Sequence, residues 1–243
     1  MVERFIDIEK VEGSIPSSRI FFNMQYHQWK KEYERSSGLI PTVERSRPSS
    51  AIEIFEGYLR TNGLVITSPV LDLGCGNGRN AVYLARKGYK VYALDFVESV
   101  LEKVRDSARK LKNLHIVNHA LPQRLPFASN SIGLVMDIIT TPSLNAKELV
   151  AIRKEIYRVL KRGGFFLTYL ISDQNTPHTN SKRKKSQKFG TLPNGIRDRI
   201  WNPGDLVRFY GEFEPQLIYR RHKKDMVNGK LVPLEMILGI FKK

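Results

Sequence analysis

One cysteine in 243 residues cannot form an internal disulfide or a cysteine-built metal cluster. No His, Asp or Glu grouping has metal-ligand spacing either, so no metal site is expected. The longest apolar runs stop far short of the ~20 residues that span a bilayer. Met1–Glu12 alternates charged and apolar residues, which is not the pattern of a secretory leader. A cytoplasmic protein without a membrane partner is therefore expected. Internal repeats are also lacking. Acidic residues are scarce, with 24 Asp and Glu against 40 Lys and Arg, which leaves a net charge of +16. The shortfall is uneven, since residues 151–243 hold 20 cations against 8 anions. An anionic partner fits that asymmetry: an anionic small molecule, or a nucleic acid on the basic C-terminal part.

What the chain does have is glycine in one decisive place. Val70-Leu71-Asp72-Leu73 is an apolar run containing an acid, followed by Gly74-Cys75-Gly76-Asn77-Gly78 and then a helical pattern from Arg79. A buried strand that ends in such a turn leaves backbone N–H groups free at the next helix N-terminus, and glycines let a ligand approach them. A second strand, Tyr89 to Leu94, ends in Asp95, a carboxylate placed to meet ribose hydroxyls.

Asp72-Leu73-Gly74-Cys75-Gly76-Asn77-Gly78 with Asp95 resembles the first motifs of the class I S-adenosylmethionine-dependent methyltransferases. The nearest likeness is to small-molecule enzymes of the tellurite-resistance and thiopurine type. The aromatic N-terminal helix and the tail Pro203-Gly204-Asp205-Leu206-Val207-Arg208-Phe209-Tyr210 add to it. The resemblance implies S-adenosylmethionine as cofactor and S-adenosylhomocysteine as product. It assigns Asp72 to the methionine amino group, Gly74, Cys75, Gly76 and Gly78 to the cofactor loop, Asp95 to the ribose, and Phe96 to the adenine. Relatives place an aspartate after the third strand for the adenine amino group. Here Asn118-His119-Ala120 stand before Leu125-Pro126-Phe127, so those three positions take that assignment. Asp137, at the end of the fourth strand, completes the cofactor set.

Strand and helix patterns alternate along the rest of the chain. This gives an α/β fold: a doubly wound, mostly parallel seven-stranded sheet of Rossmann-like methyltransferase type, closed by a C-terminal antiparallel hairpin. Residues 1–48 read as a helical lid segment and residues 49–243 as the methyltransferase domain. A helix from Ser17–Ser18 to about Arg35 carries Phe22, Tyr26, Trp29 and Tyr33 on one face. Ser50-Ala51-Ile52-Glu53 reads as a capping box for the next helix. The fourth strand is Ile132–Ile139, and a helix over Ala146–Leu160 ends at Gly163-Gly164 before a fifth strand, Phe165–Ile171. Ser172 to Ile200 reads as a long polar loop containing Ser181-Lys182-Arg183-Lys184-Lys185. Gln216–Arg221 and Leu234–Phe241 pair around Asn228-Gly229.

Methyl transfer from a sulfonium needs mainly positioning and desolvation, so catalytic motifs are weak in such chains. Tyr26, Trp29 and Thr140 are the candidates for the acceptor side. Met136-Asp137-Ile138-Ile139-Thr140-Thr141-Pro142 lacks the Asn/Asp-Pro-Pro-aromatic motif of amino-directed nucleic-acid enzymes, and Cys75 in the cofactor loop cannot serve as a pyrimidine nucleophile. A small-molecule acceptor is the first reading, with the protein a monomer or homodimer. RNA or a nucleic-acid-associated protein as substrate, and a non-catalytic cofactor-binding subunit, are the alternatives.

Overall fold

The computed structural model describes residues 27–34, 47–174, 189–191, 196–227 and 230–243. The first described stretch is a helix, α1, over 27–34; the remainder of the expected N-terminal helix, Tyr26 included, lies outside the described residues. Next come α2 (Ser50–Thr61), β1 (Val70–Leu73), α3 (Arg79–Arg86), β2 (Val91–Asp95), α4 (Glu98–Ser107) and β3 (Leu114–Asn118). β4 (Ile132–Ile138), a 3₁₀ turn (Thr141–Ser143), α5 (Ala146–Val159) and β5 (Leu160–Ile171) follow. The chain then forms β6 (Phe189–Thr191), β7 (Arg197–Arg199), α6 (Pro203–Phe209), β8 (Glu214–Val227) and β9 (Lys230–Lys242).

Seven strands form one sheet in the order β3-β2-β1-β4-β5-β9-β8. The first five are parallel, while β9 runs antiparallel to both β5 and β8. β1 is buried at all four positions and β4 at six of seven, as expected of central parallel strands covered on both faces. One face packs on α2, α3 and α4 through Phe55, Leu84 and Leu101. The other packs on α5 and α6 through Ile152, Ile156, Leu206 and an aromatic cluster of Phe166, Tyr210, Phe213 and Phe241. No described helix is long and apolar enough to cross a membrane.

Several boundaries differ from the sequence reading for physical reasons. The cap of α2 is Ser49, whose hydroxyl accepts from Ala51 N at 3.3 Å, and not Ser50. Ser49 is fixed there because its own N–H donates to Asn80 Oδ1 at 2.8 Å, a contact across 31 residues. Gly163 and Gly164 do not separate helix from strand: β5 starts at Leu160, which pairs with Ile132 before a register shift. The hairpin is much longer than expected, its two strands together running from Glu214 to Lys242. α6 begins as its sequence dictates, with Asn202 Oδ1 accepting from Asp205 N at 2.9 Å and Pro at the first turn.

The expected polar loop Ser172–Ile200 contains structure of its own. β6 and β7 pair as a small antiparallel sheet, and Ile196, Asp198, Ile200 and Trp201 are buried. β7 packs against the 3₁₀ turn that follows β4, so this insertion sits at the C-terminal edge of the parallel strands. The stretch containing Lys182 to Lys185 lies outside the described residues.

Candidate active site

β1, β2 and β4 end level with one another, Leu73 beside Leu94 on one side and Asp137 on the other. The chain leaves β1 through Gly74, Gly76 and Gly78, whose φ angles are +60°, +52° and +74°. Cys75 N donates to Leu94 O at 2.9 Å, which folds the loop back onto β2. Gly78 is the N-cap residue of α3, and a Cβ there would stand 2.8 Å from both methyl groups of Val104 on α4. The loop is thus pressed against its neighbours, at the C-terminal edge of the sheet.

Asp95 ties the loop to β2. Its Oδ2 accepts from Gly76 N at 3.0 Å, and its Oδ1 accepts from Phe96 N at 2.8 Å and Val97 N at 3.1 Å. Burial pushes this carboxyl up from its usual range, and the three backbone donors pull it back towards the ionised form. Two carboxylate oxygens offer about four lone-pair sites, so capacity remains for a ribose hydroxyl.

Asp72 is the opposite case. It is 1% exposed, and its Oδ2 has no hydrogen-bond partner. Burial raises its pKa to about 7, against the attraction of Arg79 and a backbone donor at Ala81. A buried acid with an empty oxygen beside a glycine loop calls for a cationic donor.

The other assigned positions divide by what holds them. Asn118 is exposed on the edge strand β3 and donates to Glu98 Oε2 at 2.5 Å. His119 N donates to Asp95 O at 2.9 Å, which brings His119 and the adjoining Ala120, both half-buried, alongside Asp95. Phe96 is half-buried directly after Asp95. Asp137 is fully buried and turned inward: it accepts from Thr140 N at 3.2 Å, Thr141 N at 3.1 Å and the Thr141 hydroxyl. Its carboxylate stabilises the turn after β4, and those bonds leave it facing the turn and not the loop.

On the acceptor side, the Thr140 hydroxyl donates to Leu73 O at 2.7 Å and joins the β4 turn to the glycine loop. The residue before it, Ile139, has φ +61°, a conformation that costs a β-branched residue on the order of 1–3 kcal/mol. That strained residue turns the chain so that Thr140 reaches β1. Trp29 on α1 is half-buried, its ring 6.1 Å from that of Tyr33.

Tyr33 is the site residue that sequence reasoning passed over. It is half-buried, with its hydroxyl enclosed, and a Cβ on Gly76 would lie 3.1 Å from that oxygen. Burial, with Asp95, Cys75 and Glu32 nearby, pushes the hydroxyl well above its usual pKa, so it remains a neutral donor. The aromatic stripe was the only signal in the sequence; which ring meets the loop is a contact across 43 positions. Tyr33→Ala is expected to weaken S-adenosylhomocysteine binding by roughly tenfold, about 1.4 kcal/mol, with little change in melting temperature. Unchanged affinity in calorimetric titration would remove Tyr33 from the site.

Residues 70–164 match the sequence profile of a family described as "Methyltransferase domain". That stretch is similar to a methyltransferase domain. A demethylmenaquinone methyltransferase of Staphylococcus haemolyticus is 30% identical over 127 residues, covering 51% of this chain and 52% of that one. The probable S-adenosyl-L-methionine-dependent methyltransferase TehB of Haemophilus influenzae is 30% identical over 104 residues, covering 42% and 36%. The chain spans about half the length of the curated relatives it matches. Among solved structures, the Burkholderia thailandensis 1,6-didemethyltoxoflavin-N1-methyltransferase, with bound 1,6-didemethyltoxoflavin and S-adenosylhomocysteine, superposes with a TM-score of 0.72. It is 15% identical and covers 99% of this chain and 98% of its own, so the whole architecture is that of a methyltransferase fold. The matched segment contains Asp72, the glycine loop, Asp95, Asn118–Ala120, Asp137 and Thr140; α1 lies before it and the β6–β7 insertion after it.

Proposed function

We propose that the protein is an S-adenosylmethionine-dependent methyltransferase acting on a small-molecule acceptor. The observation that carries this reading is the pair of buried acids at the glycine loop, one satisfied and one not. Asp95 is held by three backbone donors, whereas Asp72 Oδ2 has no partner. Asp72 holds the amino end, Asp95 the ribose hydroxyls, and Gly76, beneath Tyr33, gives the backbone close approach. The cofactor, when bound, supplies a methyl group already activated on a sulfonium.

The chain's own part is orientation and exclusion of water. Tyr33 closes the loop from one side. The Ile139–Thr140 turn and the β6–β7 insertion bound the edge where an acceptor would enter. Among the described residues no histidine or free carboxylate stands at that turn, which suits an acceptor whose lone pair attacks without prior loss of a proton.

Titration with S-adenosylhomocysteine, with NADH as control, tests the reading. Micromolar affinity for the first ligand alone is expected. Asp95→Asn keeps an acceptor for the loop N–H groups and should weaken binding by roughly 10–100-fold, about 1.4–2.8 kcal/mol. Binding of NADH in preference would overturn the assignment.

A further inference from the structure

The strand β8 forms one edge of the seven-stranded sheet. Its inner side is paired with β9 throughout; the other side has no partner strand among the described residues. α2 lies across the sheet nearby, and its buried residues Ala51, Ile52, Phe55 and Leu59 face the core. Tyr58 points sideways instead and donates from its hydroxyl to Gln216 Oε1 on β8 at 3.1 Å. A groove of about 640 Å³ separates helix and strand, lined by Tyr58, Asn62, Leu217, Tyr219, Arg221 and His222 among others. Tyr219 is 47% exposed.

The groove has a direction. β5–β9 pairing ends at Ile171 and Met236, whereas β8–β9 pairing continues for six more pairs, to Val227 and Lys230. The ribbon therefore projects past the C-terminal end of β5, the edge where the cofactor loop lies. Arg221, His222, Lys223 and Lys224 follow one another along it. Arg220 before them turns to the other face, where Glu235, Asp173 and Ser172 hold it. His222 Nδ1 lies 3.0 Å from Glu235 Oε2. Apart from Glu214 at the start of β8, the acids among the described side chains here, Asp173 and Glu235, are held by Arg220.

We propose that this groove binds nucleotide units of a single-stranded nucleic acid, a base stacking on Tyr219 and its phosphate meeting Arg221. Tyr219 and Arg221 are two positions apart, so they share a face about 7 Å apart. Aromatic rings accept any base face, and cations follow the backbone; this pairing is the common device of single-strand binders. A bilayer would seat on a convex apolar surface. Here the surface is concave, half polar, and rimmed by cations. A second copy pairing through β8 would set Arg221, Lys223 and Lys224 against themselves, which edge strands of like charge resist. The inference is independent of the methyltransferase reading.

Fluorescence anisotropy of the full chain with a labelled twelve-nucleotide oligo(U), between 50 and 300 mM NaCl, tests it. Low-micromolar binding at the lower salt is expected. The log–log salt slope should be about −2, as for three phosphates neutralised on a single strand. Tyr219→Ala should weaken binding roughly 5–100-fold, while leaving the melting temperature and the S-adenosylhomocysteine affinity as they were. Arg221→Ala should flatten the slope by about 0.7. Competition by free UMP at similar nucleotide concentration identifies a mononucleotide as the occupant; failure of UMP to compete identifies the strand. Absent binding, binding indifferent to Tyr219→Ala, or preferential uptake on phosphatidylglycerol vesicles overturns the proposal.

Discussion

Gly74→Ala is expected to lower stability by roughly 3–5 kcal/mol, combining a non-glycine residue at positive φ with overpacking. Gly74 sits at φ +60°, and an added Cβ would stand 2.3 Å from Thr140 Cγ2 and 2.5 Å from Thr140 Oγ1. Thr140 cannot simply rotate away, because its hydroxyl is bonded to Leu73 O at 2.7 Å. The new methyl group must therefore displace either the cofactor loop or the turn after β4. For a chain of this size the melting temperature should fall by roughly 6–20 °C. Cofactor affinity should fall with it, since the loop itself moves. Thr140→Ser removes Cγ2 and keeps the hydroxyl. In the double variant the clash with Cγ2 is relieved, while the clash with the hydroxyl and the φ part remain, so a coupling of about 1 kcal/mol is expected. Additive losses in thermal melts would show that the Thr140 methyl group is not what confines Gly74.

That contact also marks where the sequence stops being informative. The strand–loop–helix transition at Asp72 to Asn80 is legible because every part of it is local: an apolar run, glycines at positive φ, a helical period. The β2 carboxylate follows at fixed spacing, and α6 announces itself through Asn202 and Pro203. Contacts across long separations leave no such trace. Nothing near Ser49 or Ser50 tells which of them caps α2; Asn80, 31 residues away, decides it. Tyr33 is one of four aromatic residues on a stripe, and only the fold selects it for Gly76. β6 and β7 are three residues each, too short to show a period against a polar background. Ile196, Asp198 and Ile200 are buried at alternate positions, a strand face that the carboxylate at its centre conceals in the sequence. The role of Asp137 was hidden for another reason. A carboxylate at a strand end can face a ligand or its own turn, and the residues Thr140 and Thr141 that capture it are common in either setting.

Asp72→Asn is expected to make the ligand-free protein more stable at pH 8 while weakening its hold on the cofactor. Burial raises the Asp72 pKa in the folded chain to about 7 from its ordinary 3.8. Its folded-state pKa is raised, so its protonated form is favoured by folding. That contribution is fully present below pH ~4, is lost as pH rises through ~7, and leaves an ionised carboxylate in an apolar site. The span of about three units corresponds to about 4 kcal/mol at most. An amide has the same shape and does not titrate. The variant's stability should vary less than the parent's between pH 5 and pH 8, and exceed it by roughly 2–4 kcal/mol at the upper end. Binding should show the reverse order. Because the ionised acid is the partner for an ammonium group, parental affinity for S-adenosylhomocysteine should rise as pH passes 7. The variant, without charge, should bind at least tenfold more weakly at pH 8 and lack that rise. Denaturant melts and calorimetric titrations at pH 5, 6.5 and 8 separate the two effects. A variant less stable than the parent at pH 8 would mean that the carboxylate is satisfied inside the folded chain. The unpaired oxygen would then be no guide to the cofactor, and the assignment would have to stand on Asp95 and the glycines alone.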